Sequence, residues 1–139
     1  MLTQAVFQLF RRYRLFCYRG LFAAVHEKDG SLSATEAFSA DIIHLLGTPT
    51  VSQFAAAIGI SQPNATYKVN QLTAKGYLEK KTPDSDRRAV HLCTSEKFSS
   101  YFNDDDAALK QSIASLEEQF TPEELQTAAR VMQALAERF

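Results

Sequence analysis

Apolar residues recur at steps of three and four from residue 2 to residue 26, which predicts a long N-terminal helix. The apolar stripe is wide, so this helix is expected to pack against more than one neighbour. Residues 29–31 form a break, after which Ser33 and Glu36 have the spacing of a capping box. They predict a second helix that ends near Gly47. Its inward face is expected to hold Phe38, Ile42, Leu45 and Leu46.

The next segment predicts two helices joined by a tight turn. Residues 51–58 form a short apolar helix, and Gly59 follows where a left-handed turn residue is easiest to accommodate. Ser61 is placed to cap the next helix, and Pro63 lies in its first turn, where the missing amide hydrogen costs nothing. This helix is expected to end at Gly76. The spacing is typical of a helix-turn-helix.

The remaining residues predict a hairpin and two further helices. Residues 77–82 and 88–93 both alternate and contain β-formers, so they are expected to pair as strands around a loop at 83–87. A long helix is expected from residue 94 or 95 to about residue 118, and a capping box at residues 121–124 begins the last helix. The predicted fold is mainly α with a small β-hairpin.

Composition places the 139 residues in a single globular domain, 1–139, because 45% are hydrophobic and 22% are charged. Arginines interrupt the N-terminal apolar pattern, so neither a secretory signal nor a membrane span is expected, and the cytoplasm is the predicted location. Cys17 and Cys93 lie far apart, and the three histidines have no metal-ligand spacing with them. No metal site, cofactor or membrane contact is therefore predicted.

Charge is distributed unevenly along the chain, although the net charge is only −1. Residues 1–60 carry five Lys/Arg and four Asp/Glu, residues 61–97 carry seven and four, and residues 98–139 carry three and eight. Positive charge is thus concentrated around the predicted helix-turn-helix and hairpin. A local basic region of this kind suffices for contacts with phosphates.

The second helix of the helix-turn-helix has the chemistry of a DNA-reading helix. A helical wheel places Ala65, Val69 and Leu72 inward and leaves an outer face with amides, hydroxyls and a phenol but no carboxylate. Amides can pair with adenine edges, and Ser61 and Lys68 are placed to reach phosphates. The alternative is an ordinary amphipathic helix with a solvated polar face. The predicted DNA-contacting residues are Ser61, Gln62, Pro63, Asn64, Thr66, Tyr67, Lys68, Asn70 and Gln71.

The hairpin loop adds a second candidate DNA contact. Arg87 and Arg88 would be costly to bury and are suited to probing a minor groove or phosphates. Asp86 and Asp84 are expected to hold a neighbouring guanidinium or to cap the turn. The alternative is a solvated charged turn.

Residues 60–98, ISQPNATYKVNQLTAKGYLEKKTPDSDRRAVHLCTSEKF, resemble the recognition helix and wing of the MarR family of bacterial transcription regulators. The DSDRRAVHL segment matches that family's D-x-R-[RD] wing. The resemblance covers nearly the whole chain and implies a winged helix-turn-helix repressor that acts as a homodimer on double-stranded DNA. Two departures are Phe98, where many relatives carry Gly, and the acidic residues 104–106.

The resemblance also implies roles for each part of the chain. Residues 48–93 would form the DNA-binding lobe, with 61–71 in the major groove and Arg87 or Arg88 in the minor groove. Residues 1–28 and 95–139 would be dimerisation helices.

Regulation and function keep several alternatives open. The phenylalanines at positions 7, 10, 16, 22 and 38 could line a pocket for a small apolar effector, and they could equally be core or interface. The ISQPNATYKVN helix is similar to regulators tied to fatty-acid synthesis, and this resemblance implies an acyl-type effector. Cys17 could serve as a redox sensor or simply pack as a small hydrophobe. A winged-helix module that binds only proteins is the rival class. An enzyme is not expected, since the chain has no Gly-rich phosphate loop, nucleophile elbow or metal spacing.

Overall fold

A computed structural model of the chain describes residues 1–26, 32–85, 88–102 and 105–139. The described residues are mostly helical with one two-stranded antiparallel hairpin, which confirms the predicted fold class. The predicted break at residues 29–31 lies outside them. The elements are α1 (Leu2–His26), α2 (Ala34–Leu45), α3 (Val51–Ile58), α4 (Gln62–Ala74), β1 (Leu78–Lys81), β2 (His91–Thr94), α5 (Glu96–Phe102), α6 (Asp105–Glu117) and α7 (Pro122–Ala136).

The chain divides into two compact units, residues 1–102 and residues 103–139. The first unit holds α1 to α5 and the hairpin, and the second holds α6 and α7. The predicted division into a DNA-binding lobe and dimerisation helices stays a prediction.

The core of the first unit joins all five of its helices to the hairpin. Phe54 of α3 and Leu72 of α4 are fully buried beside Leu92 of β2, and Tyr77 and Phe98 supply the aromatic part. Phe98, one of the two departures from the MarR pattern, is therefore a buried core residue of α5. The buried apolar residues are Leu21, Leu32, Ala37, Ala40, Ile43, Phe54, Ala55, Ala65, Val69, Leu72, Tyr77, Leu78, Leu92 and Phe98.

The inward face of α2 differs from the prediction. The helix begins with the predicted capping box, but Phe38, Leu45 and Leu46 are exposed and Ile42 is only half-buried. Small residues can let neighbouring helices approach closely. The hydroxyl of the buried Ser39 donates a hydrogen bond to the Thr35 carbonyl at 2.7 Å. The residues that α2 buries are Ala37, Ser39, Ala40 and Ile43.

The hairpin is shorter than predicted, with Leu78 paired with Thr94 at one end and Lys81 with His91 at the other. The segment before α3 extends it, because the Leu92 amide donates to the Pro49 carbonyl at 2.8 Å and an isolated bridge joins Thr50 to His91. The hairpin is therefore attached directly to the start of the helix-turn-helix.

One helix is predicted from residue 94 or 95 to about 118, and the described residues of this segment form two helices, α5 and α6. Residues 103–104 between them lie outside the described residues. In the second unit α7 begins with the predicted capping box of Thr121 and Glu124. None of the side chains described in this unit is buried, and both helices expose large apolar residues, among them Leu109, Ile113, Leu116 and Met132.

Candidate nucleic-acid interface

The helix-turn-helix forms as the sequence predicts. Thr50 and Gln53 make a capping box at the start of α3, which the sequence analysis had not identified. Gly59 ends α3 in the left-handed region with a φ of 67°, and the Ile60 amide donates to the Ala55 carbonyl at 3.1 Å. Ala55 and Ala65 are both buried in the core, one on each helix. Their small side chains suit the close approach that the motif requires.

The N-terminus of α4 is held by side-chain hydrogen bonds and still faces solvent. The Ser61 hydroxyl accepts a hydrogen bond from the backbone amide of Asn64 at 3.3 Å, and Pro63 lies in the first turn as predicted. The Ser52 hydroxyl donates to Oε1 of Gln62 at 3.1 Å, which ties the beginning of α3 to the beginning of α4. The Ser61 hydroxyl keeps its own proton, so it can still donate to a phosphate at the positive end of the helix dipole.

The two faces of α4 are as the helical wheel predicts. Ala65, Val69 and Leu72 are buried, and Tyr67 is 62% exposed on the opposite side. No residue from Ser61 to Gly76 is a carboxylate. Of the other predicted contact residues, Lys68 and Gln71 are half-buried, and the exposed ones are Ser61, Gln62, Pro63, Asn64, Thr66 and Asn70.

Polar side chains on the outer face of α4 make hydrogen bonds in both halves of the helix. In the second half, the Gln71 amide donates to the Tyr67 hydroxyl at 3.0 Å, and Nζ of Lys80 donates to Oδ1 of Asn70 at 3.1 Å. Nearer the N-terminus, the Thr66 hydroxyl donates to the Gln62 carbonyl at 3.0 Å, which turns its methyl group to other partners. Both halves of the outer face are therefore partly engaged within the protein, and both keep further donors and acceptors for a ligand.

Lys80 is a site residue that the sequence analysis missed. The strand alternation offers the only local signal, because Leu78 is buried and Lys80, two residues later, lies on the same face of the hairpin. Its contact with Asn70 depends on the packing of β1 against α4, which no local pattern gives.

The described part of the wing loop includes exposed charged residues. Arg88 and Asp84 are both exposed, whereas Asp86 and Arg87 lie outside the described residues. The predicted support of an arginine by these aspartates therefore stays a prediction. At the base of the wing, the His91 ring approaches the Thr48 carbonyl with Nδ1 at 2.7 Å, a distance at which a protonated Nδ1 donates a hydrogen bond. The wing base is thus joined to the segment that precedes α3.

The C-terminal end of α4 is fixed by charged side chains. Nζ of Lys75 lies 2.8 Å from a carboxylate oxygen of Glu36, which also serves in the capping box of α2. Burial raises the pKa of Glu36, but hydrogen bonds from Lys75 and Ser33 outweigh it, so the net pKa lies below its ordinary value. Lys97 donates to the Lys75 carbonyl at 2.8 Å. A cation is favourable at this end of the helix dipole.

The candidate regulatory residues belong to elements other than α4. Cys17 and Cys93 are half-buried thiols. The five phenylalanines proposed to line an effector pocket are all exposed in the single chain, and Phe7 is 68% exposed. They are Phe7, Phe10, Phe16, Phe22 and Phe38. Among the described residues, no three His, Cys, Asp or Glu side chains lie close enough together to hold a metal. Within the same residues, no helix has the length and apolar character of a membrane span.

Comparisons with known proteins agree with this geometry. The MarR family model matches residues 41–89, which run from α2 through the helix-turn-helix to the wing loop. A MarR-like transcriptional regulator from Thermotoga maritima is similar to the chain with a TM-score of 0.57 at 17% identity, over 99% of this chain and 93% of that one.

Two structures described as DNA complexes are also similar. FabT of Streptococcus pneumoniae in complex with DNA has a TM-score of 0.54 at 21% identity, over 94% of this chain and 95% of that one. A mutant of MarR from E. coli complexed with operator DNA has a TM-score of 0.53 at 15% identity, over 94% and 93%. These findings confirm the family resemblance and the winged-helix fold predicted from the sequence.

Proposed function

We propose that this chain, whose residues 41–89 match the MarR family model, is a sequence-specific regulator of transcription that binds double-stranded DNA as a homodimer. The observation that carries the proposal is the outer face of α4, which is exposed, rich in amides and hydroxyls, and without a carboxylate. Repression is the proposed mode of action, with the cytoplasm as the location.

The proposed contacts follow the geometry of recognition helices, whose N-terminal residues reach base edges in the major groove. Gln62 and Asn64 would read bases through their amides, and Tyr67 and the methyl of Thr66 would contact thymine methyl groups. Ser61 and Lys68 would bind phosphates. Arg87 and Arg88 would enter the adjacent minor groove from the wing.

The similar structures support DNA as the ligand. FabT and the MarR mutant are each described as bound to DNA, the latter to operator DNA. Both share the fold of this chain. The transfer of their ligand to this chain is part of the proposal.

Dimerisation is proposed through the N- and C-terminal helices. Residues 1–26 carry four arginines and no carboxylate, whereas residues 98–139 carry three Lys/Arg and eight Asp/Glu. Both segments also expose large apolar side chains, including Phe7 in α1 and Met132 in α7. Opposite charge around apolar surface is the arrangement expected when such helices meet across an interface. Two wings and two α4 helices would then address half-sites about one helical turn apart.

An effector would bind next to these helices in the same proposal. The exposed phenylalanines of α1 need a second apolar surface, which a partner chain would provide, and an apolar or acyl-type ligand fits that chemistry. Redox control through Cys17 is the alternative, and peroxide treatment tests it. Release of DNA that persists in Cys17→Ser excludes Cys17 as the sensor.

The experiment that tests DNA binding is a salt titration with the DNA upstream of the chain's own gene. Affinity should fall steeply as salt rises, and Arg87→Ala should make the slope of log affinity against log salt less negative by about one. A winged-helix module that binds only proteins predicts an apolar or acidic outer face on α4, which this helix does not have. A flat salt response, or no loss in Arg87→Ala, would contradict the proposal.

A further inference from the structure

We propose that Lys80 contacts the DNA backbone between the two grooves, and that Asn70 positions its ammonium group instead of reading a base. This inference rests on the proposed function and adds a residue to its interface. Lys80 is exposed on β1, and its Nζ lies 3.1 Å from Oδ1 of Asn70 on the outer face of α4.

The position of Lys80 in the fold favours a phosphate contact. The strand of Lys80, β1, connects α4 to the wing loop. If α4 lies in the major groove and the wing in the minor groove, β1 lies over the phosphates between the two grooves. Because Leu78 is buried beside Lys80 on the same face, that face is the one turned towards α4. A lysine there presents a compact charge to the backbone.

The contact also changes the role of Asn70. Reading adenine needs both the oxygen and the nitrogen of an amide. The Asn70 oxygen has two acceptor positions and Lys80 takes one of them, so a bidentate contact with adenine would have to share this oxygen with the lysine ammonium group. In return, the oxygen restricts a flexible ammonium group before DNA arrives, which lowers the entropy cost of ordering it on binding.

Lys81 provides a matched control. It is the next residue of the same strand, carries the same charge and is also exposed, but it lies on the opposite face of β1. Lys81 lines a shallow pocket together with Asp84 and His91, and the described residues that line this pocket include none from α4. A contribution from general positive charge would be the same for both lysines, whereas a located contact would distinguish them.

The experiment compares Lys80→Gln and Lys81→Gln on a duplex that the wild-type protein has selected from a random pool and on an unrelated duplex of equal length. For Lys80→Gln, the salt slope should become less negative by about one on both duplexes. The advantage of the wild type over this variant should therefore shrink roughly threefold between about 50 and 200 mM salt. Lys81→Gln should keep the wild-type slope, and an equal change in both variants would overturn the inference.

Asn70→Ala separates positioning from reading. Positioning predicts a similar loss of affinity for both duplexes, and no further loss when Asn70→Ala is added to Lys80→Gln. A loss confined to the selected duplex would overturn the role given to Asn70. If the wild type binds no DNA, the proposed function fails; if it binds and Lys80→Gln keeps its slope, only the inference fails. Thermal unfolding of each variant checks that these exposed substitutions leave the fold intact.

Discussion

Glu36 joins two elements that are far apart in the sequence. Its carboxylate accepts from the Ser33 amide at 2.7 Å in the capping box of α2 and lies 2.8 Å from Nζ of Lys75 at the end of α4. The side chain of Glu36 is 12% exposed and that of Lys75 is 38% exposed. The orientation of the proposed recognition helix therefore depends in part on one charge in α2.

Glu36→Gln should lower the free energy of unfolding by about 1 kcal/mol at neutral pH, because it removes the charge from a pair that is partly screened by solvent. The folded-state pKa lies below the ordinary value of 4.5, so the charge contributes fully above that value and its contribution is lost as pH falls through the folded-state pKa. Denaturant unfolding of both proteins as a function of pH measures this. Their stabilities should converge in acid; a constant difference would contradict the assignment.

The sequence predicts which α4 side chains face outward better than it predicts what they contact. The positions of Ala65, Val69 and Leu72 fix the outer face by helical geometry alone. The bond between Lys80 and Asn70 depends on how β1 packs against α4, so it could not be predicted from either segment.

At the scale of elements, helix starts are the best predicted features, because a capping box is a local arrangement of three or four residues. The boxes of α2 and α7 were found in this way, and the one at Thr50 and Gln53 was overlooked. The prediction of which α2 residues are buried was wrong for a different reason. Both Phe38–Ile42–Leu45 and Ala37–Ala40–Ile43 recur at helical spacing, and only close packing of neighbours selects the smaller set.

The turn of the helix-turn-helix gives a prediction about one glycine. Gly59 has a φ of 67°, and a Cβ added there would meet no atom within 4 Å, so substitution is opposed by backbone strain alone. Gly59→Ala should lower the free energy of unfolding by roughly 1–2 kcal/mol. Gly59→Asn is the matched control and should cost less, because asparagine tolerates the left-handed region better than alanine. Denaturant unfolding of the three proteins checks this order, and an equal cost for both variants would contradict it.

At the scale of the molecule, exposed apolar surface on α1 is difficult to reconcile with a lone chain. Leu21 is the one α1 residue in the buried core among those described, while eight apolar or aromatic side chains from Phe7 to Phe22 are exposed. Surface of this kind marks an interaction site. The wide stripe predicted from the sequence is therefore present, but the sequence could not say whether its neighbour belongs to the same chain.

The proposed dimer makes Phe7 the sharpest test, since it is 68% exposed on α1. The wild type should sediment at twice the chain mass, and Phe7→Asp should shift it towards the monomer, because a carboxylate in an apolar interface is costly to desolvate. Leu45→Asp is the matched control, since Leu45 is 75% exposed on α2, outside the proposed interface. It should leave the dimer intact.

Loss of the dimer should also weaken DNA binding beyond the loss of any contact, because tethering two α4 helices makes the second half-site contact intramolecular. Phe7→Asp should therefore bind a single half-site as the wild type does and lose its advantage on the paired site. Titration of both duplexes at fixed salt measures this. A wild type that sediments as a monomer at all concentrations would contradict the dimer, and equal wild-type affinity for one and two half-sites would show that the two copies act independently.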